Sequence, residues 1–184
     1  MIQLIPCAHS STEALADLDF AMNLESFRIV RELAAGSLGP TYLAEELQSF
    51  SQKVLKKILP PHLAQAATAE RLNELVRAHA KVSAAGLVPL ESVAFESDGS
   101  AVLCMPYLNG ESLSSLLSRH PGEALADGLQ IIHALCGALS AGQRAGLRHL
   151  ALRPSQVLLG GGDGGGVKLL GLGLAEALGR SQAA

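Results

Sequence analysis

The sequence predicts an α+β fold in which strands dominate the first half and helices the second. Three observations carry that prediction. Short segments of strand-like alternation cluster between residues 27 and 105. Two stretches, 66–83 and 123–144, repeat apolar residues at helical spacing. Two short apolar runs near the end, Val157–Leu159 and Val167–Leu170, flank the glycine-rich run Gly160 to Gly166, which reads as a hairpin connection.

Composition narrows the class. A chain of 184 residues fits one domain with room for a core. Apolar residues make up 48% and aromatics 3%, with no Trp, so the core is built from Leu, Val, Ile and Ala. A net charge of −3 gives no electrostatic case for nucleic acid or an anionic membrane. No apolar run approaches the roughly 18–20 residues that span a bilayer. The first residues carry Glu13, Asp17 and Asp19 without a basic region and apolar block, so no signal peptide is expected. Cys7, Cys104 and Cys136 are odd in number and lack paired spacing. They read as reduced thiols of a cytoplasmic protein, with neither a disulfide framework nor a zinc site.

In chain order, residues 1–25 form a leader with one short helix. Ser10 and Glu13 have capping-box spacing, and Leu15, Leu18 and Met22 share a face. Phe27–Leu33 alternates as a strand, residues 34–39 turn, and Thr41–Ala44 is a second strand. Lys53–Leu59 is a third. The 66–83 helix carries a stripe of Leu72, Leu75, Val76, His79 and Val82. Gly86–Leu90, Val93–Phe95 and Ala101–Met105 read as strands, the last two joined by Ser97-Asp98-Gly99-Ser100. Ser112–Arg119 is a short helix. The helix 123–144 has Leu125, Leu129, Ile132, Cys136 and Leu139 on one stripe, widened by Ile131, Leu135 and Ala138, and so needs cover on several sides. His79 and His133 read as core or edge histidines rather than ligands.

Several of these segments carry motif-like spacing. Residues 34–39 are Ala-Ala-Gly-Ser-Leu-Gly between two strands; 53–61 are Lys-Val-Leu-Lys-Lys-Ile-Leu-Pro-Pro; 105–113 are Met-Pro-Tyr-Leu-Asn-Gly-Glu-Ser-Leu; 149–156 are His-Leu-Ala-Leu-Arg-Pro-Ser-Gln; and 171–173 are Gly-Leu-Gly. Their order and spacing resemble the protein kinase family, specifically bacterial serine/threonine kinases, from about Phe27 to Leu178. The resemblance implies a protein kinase-like fold with a complete small β-rich lobe and the first part of the helical large lobe. It divides the chain into a leader at 1–25, an N-lobe at 26–105, a hinge and partial C-lobe at 106–178, and a tail at 179–184.

The resemblance also assigns roles. Gly36 and Gly39 match glycines of the phosphate loop, with Ala34 in place of the first. Lys57 matches the phosphate-binding lysine, and Leu55 stands where a small residue lines the adenine pocket. Met105 falls at the gatekeeper; Tyr107 and Leu108 fall in the hinge, and Leu158 in the strand after the loop. These residues are the candidate nucleotide contacts. Other motif positions are degenerate. Leu75 stands where the family's helix glutamate pairs with the strand lysine, and Glu74 is one position off, about 100° around the helix. His149 is kept, but Leu150 replaces the arginine that reads a loop phosphate. Ala151 replaces the catalytic aspartate, while Gln156 and Gly171 replace the two magnesium ligands. Asp163 is the nearest carboxylate in sequence, in the glycine hairpin.

The implied protein is therefore a pseudokinase: no catalytic residue, no metal site, and no certain cofactor, with ATP held without magnesium as the one cofactor to consider. A protein partner or self-association is expected, because the large-lobe helices would leave apolar surface uncovered. A nucleotide-binding sensor, an atypical serine/threonine kinase, and a truncated, decayed gene product are the other readings.

Overall fold

The computed structural model describes residues 23–65, 67–120, 122, 127–160 and 166–179. The leader helix expected before residue 23, Leu125 and Asp163 lie outside the described residues. The chain forms two compact units. The first takes the described residues up to Arg77 and Leu90–Tyr107; the second takes Ala78–Pro89 and the described residues from Leu108 onward. Residues 78–89, counted above with the N-lobe, thus pack within the second unit.

The first unit is an antiparallel sheet of five strands in the order β1-β2-β3-β5-β4. The strands are β1 (Phe27–Gly36), β2 (Gly39–Glu46), β3 (Gln52–Ile58), β4 (Ser92–Phe95) and β5 (Ala101–Pro106). Gly36 faces Gly39 across the first hairpin, and Gly39 has φ 140°, where a side chain would meet the Lys57 carbonyl. β1 is an edge strand, interrupted by two register shifts and mostly exposed. The alternation of β3 divides its residues between two covered faces. Leu55 joins Ala44, Val102 and Cys104 in one buried cluster, with Leu24, Phe27 and Tyr42 packed on it. Ile58 lies on the other face, where Leu43, Val93, Ala101 and Leu103 are buried as well. Helix α1 (Thr68–Ala80) begins in this unit and buries Leu72, Leu75 and Val76 at the expected spacing, while Glu74 is exposed.

The second unit contains β6 (Glu111–Ser112), α2 (Leu113–Arg119), α3 (Gly128–Arg144), β7 (Val157–Leu159), β8 (Val167–Leu169) and α4 (Leu174–Ala177). Ser112 caps α2 by accepting from the Ser115 amide. β6, β7 and β8 form a small antiparallel sheet. The segment 86–90 is not a strand: it makes one parallel bridge, Leu87 beside Leu169. Pro89 has no amide to extend a ladder. The short helix α4 had no sequence signal beyond the positive-φ glycine, Gly173, before it.

Helix α3 corrects the stripe read from the sequence. Leu129 is 84% exposed, Ile132 is 58% exposed, and Cys136 and His133 are exposed too. The buried face is Ile131, Ala138 and Gly142. The small residues explain the choice. A Cβ at Gly86 would stand 3.1 Å from the Ala138 Cβ, and one at Gly142 would stand 2.6 Å from a Leu172 methyl. Close approach of backbone to helix needs the Ala138–Gly142 side, and the larger residues Leu129 and Ile132 are left outside.

Leu172 is 1% exposed and has nowhere to swing. Gly142→Ala therefore destabilises the protein by about 1–3 kcal/mol through overpacking, despite the better helix propensity of alanine. Urea unfolding of the two proteins measures it.

Candidate functional site

Of the candidate residues in the first unit, Gly36 and Gly39 form the β1–β2 turn. The Lys56 ammonium donates to the Gly39 carbonyl at 2.7 Å and to the Thr41 hydroxyl at 3.1 Å. It also lies 3.2 Å from where a Cβ on Gly36 would be. Burial pulls its pKa below the ordinary lysine value. Lys57 is elsewhere. It shares a face with Leu55 and Val102, and its ammonium pairs with Glu96 at 2.7 Å and Asp98 at 3.0 Å. Glu96, then Asp98, raise the Lys57 pKa against some desolvation. Asp98 is held down to about 2, first by the Ser100 hydroxyl and amide and then by Lys57.

Thus the lysine assigned from the sequence does not reach the glycine turn, and its neighbour does. Adjacent residues of a strand point to opposite faces, so the pair Lys56-Lys57 offers one lysine to each side. The reading of Leu55 changes with it: Leu55 sits in the cluster on the Lys57 side, and Val54 shares the Lys56 face. Met105 pairs with Val54 and lies on that same face. Tyr107 closes the unit, its amide donating to the Gln52 carbonyl at 3.2 Å. Only the double lysine signalled the ambiguity in sequence.

The second unit holds the loop and Gly-Leu-Gly residues. His149 is 6% exposed; its Nε2 donates to the Leu170 carbonyl at 2.8 Å, and its Nδ1 is buried without a partner. Leu150 has φ 28°, in the left-handed region a leucine rarely occupies, and the Ala151 amide donates back to the His149 carbonyl. The Gln156 amide nitrogen stands 3.3 Å from the Cβ position of Gly171, whose φ is 75°. Gln156 Oε1 is buried and unpartnered. These positions hold a methyl, a neutral amide and a glycine, with no carboxylate among them. Among the described residues no three His, Cys, Asp or Glu side chains come together as a metal site. Leu158 is half-buried in β7, opposite Lys168 and Ser112; Leu108 follows the first unit and is likewise half-buried.

His79, read above as a core histidine, is 2% exposed, and its Nε2 donates to the Leu172 carbonyl at 3.0 Å. Burial pushes its pKa below the ordinary value, against that hydrogen bond.

No protein-family model matches the chain. It is 34% identical over 157 residues to the serine/threonine-protein kinase Pkn1 of Myxococcus xanthus, covering 82% of this chain and 22% of Pkn1. It is 33% identical over 155 residues to pkn2 of the same organism, covering 82% of this chain and 18% of pkn2. Among solved structures, the PknI kinase domain of Mycobacterium tuberculosis (C20A_R136A double mutant) is similar at TM-score 0.70 and 24% identity. The match covers 84% of this chain and 61% of that one. The chain belongs to the protein kinase-like family. Its fold is the α+β kinase-like fold expected from the motifs, and it spans about a fifth of the length of these curated relatives. No helix among the described residues is long and apolar enough to cross a membrane.

Two outcomes follow from the side chains. Lys56→Ala moves the amide signals of Gly36 and Gly39 in an ¹⁵N-correlation spectrum, whereas Lys57→Ala leaves them in place and, as loss of a partly exposed ion pair, costs under about 1 kcal/mol. For His79 the folded pKa is depressed, so its contribution is fully present above about pH 6.5 and is lost as pH falls through the folded value. Wild type therefore loses stability faster than His79→Phe below about pH 6.5, by up to about 1.4 kcal/mol per pH unit. Urea midpoints at several pH values give the comparison.

Proposed function

We propose that this chain is a catalytically inactive kinase-like module that works in the cytoplasm through contacts with a partner protein or a second copy of itself. The observation that supports this most is the donor set at Ala151, Gln156 and Gly171. Phosphoryl transfer depends on a carboxylate that orients the attacking hydroxyl and on magnesium that neutralises phosphate charge. A methyl cannot accept a hydroxyl's hydrogen bond. One neutral amide oxygen beside a glycine is a poor match for a hard cation that seeks several oxygen ligands. Magnesium does not fit these residues. Loss of one transition-state stabiliser typically costs about 3–4 kcal/mol, and here three are replaced together. The exposed Leu129, Ile132 and Cys136 of α3 support the contact role.

A second reading, a sensor that holds ATP without magnesium, draws on Lys56 beside the glycine turn. Gly36, Gly39, Lys56, Met105 and Tyr107 of the first unit would serve it. Against it, the Lys56 ammonium is already bonded to the turn. A phosphate would have to displace those bonds.

Incubation with γ-labelled ATP and magnesium gives no transfer to the chain or to a generic substrate. Transfer that disappears in Lys56→Ala would overturn the proposal. An unchanged unfolding midpoint with excess ATP, in magnesium or in EDTA, separates the contact module from the sensor; a binder at a hundredfold over its Kd would add about 2.7 kcal/mol. In light scattering, a mass above 19.1 kDa at high concentration that Ile132→Asp returns to monomer marks self-association through α3.

A further inference from the structure

Past the end of α1 the second unit forms an open pocket of about 340 Å³, lined by His79, Val82, Ser83, Ala84, Leu87 and Pro89. The backbone around it is pinned. The Val82 amide donates to the His79 carbonyl and the Leu87 amide to Ala84. Leu169 bonds Gly86 and Val88 on either side. Lys168 donates to the Ala85 carbonyl at 2.6 Å. Small side chains at 83–85 cannot fill a space whose walls are held this way.

The lining is apolar except for the Ser83 hydroxyl and the His79 ring. Because Nε2 of His79 meets a carbonyl oxygen, that nitrogen carries the hydrogen. In the neutral ring Nδ1 is then a bare acceptor, and it makes no hydrogen bond among the described residues. A ligand completing the site must donate there. A carboxylate has no donor to offer Nδ1, and no cationic side chain lines the pocket; the nearby Lys168 ammonium is engaged by Ala85. The volume lies in the range of small-molecule pockets, which pair apolar walls with a few placed polar groups.

We propose that this pocket binds a small neutral aromatic molecule bearing one hydrogen-bond donor, and that His79 transmits occupancy to the Gly171–Gly173 turn through the Leu172 carbonyl. The site stands on the pocket and on His79, and does not draw on the kinase-like reading.

The test uses 2-naphthol and its methyl ether, 2-methoxynaphthalene, which keeps the rings and loses the donor. Each is titrated into the labelled full chain while NMR follows the His79 ring, the Leu87 methyls and the Gly173 amide. The expected result is saturable binding of 2-naphthol that moves all three signals, with the ether about fivefold weaker, the worth of one neutral hydrogen bond. His79→Phe removes the preference between the two. Ala84→Leu, which fills the pocket and leaves His79 in place, abolishes binding of both and keeps the test valid where His79→Phe does not fold. Absence of saturation, equal affinities for the two probes, or undiminished binding to Ala84→Leu would each overturn the proposal.

Discussion

The second unit depends on satisfying the backbone carbonyls between Leu169 and Leu172. Leu169 and Leu172 are almost wholly buried, and a buried carbonyl left unpaired costs about as much as a lost hydrogen bond. The Gly171 carbonyl accepts locally from the Leu174 amide, and the other three find donors distant in sequence. Leu169 accepts from Val88, Leu170 from the His149 ring, and Leu172 from the His79 ring. The Leu169 amide donates back to Gly86, and the Gly173 amide donates to Arg148. The residues that follow α1 are therefore part of this unit, as are the loop histidine and the Gly-Leu-Gly turn.

Two histidines thus serve a structural end. His149 bonds the Leu170 carbonyl, and the next residue, Leu150, sits at positive φ. The loop is bent at Leu150, and Ala151 beyond it presents only a methyl. Gln156 shows the same pattern from the other side. Its amide lies against Gly171, where the lack of a Cβ leaves room for it, and its own carbonyl oxygen goes unmet.

The first unit shows how one charged side chain can organise a turn. The β1–β2 hairpin places Gly39 at φ 140° against the Lys57 carbonyl, and the Lys56 ammonium then bonds the Gly39 carbonyl and Thr41. The half-buried amine stabilises the turn at the expense of its own charge, which burial disfavours. Lys57, more exposed, makes ordinary ion pairs on the other side of the sheet.

Strands β1 to β5, α1 with its buried stripe, and the β7–β8 pair were legible because each is a local pattern of period two or 3.6. The absence of a carboxylate at 151, 156 and 171 was equally legible, being a matter of residue identity. Only tertiary structure decided which of two adjacent lysines meets the glycine turn, since a shift of one residue moves a strand side chain to the opposite face. It also decided which side of α3 is buried. That helix is apolar almost all round, so periodicity could not choose; close approach at Gly86 and Leu172 chose Ala138 and Gly142 over Leu129 and Ile132. Burial of a helix face is settled by what fits against it, and that is not written in the helix alone.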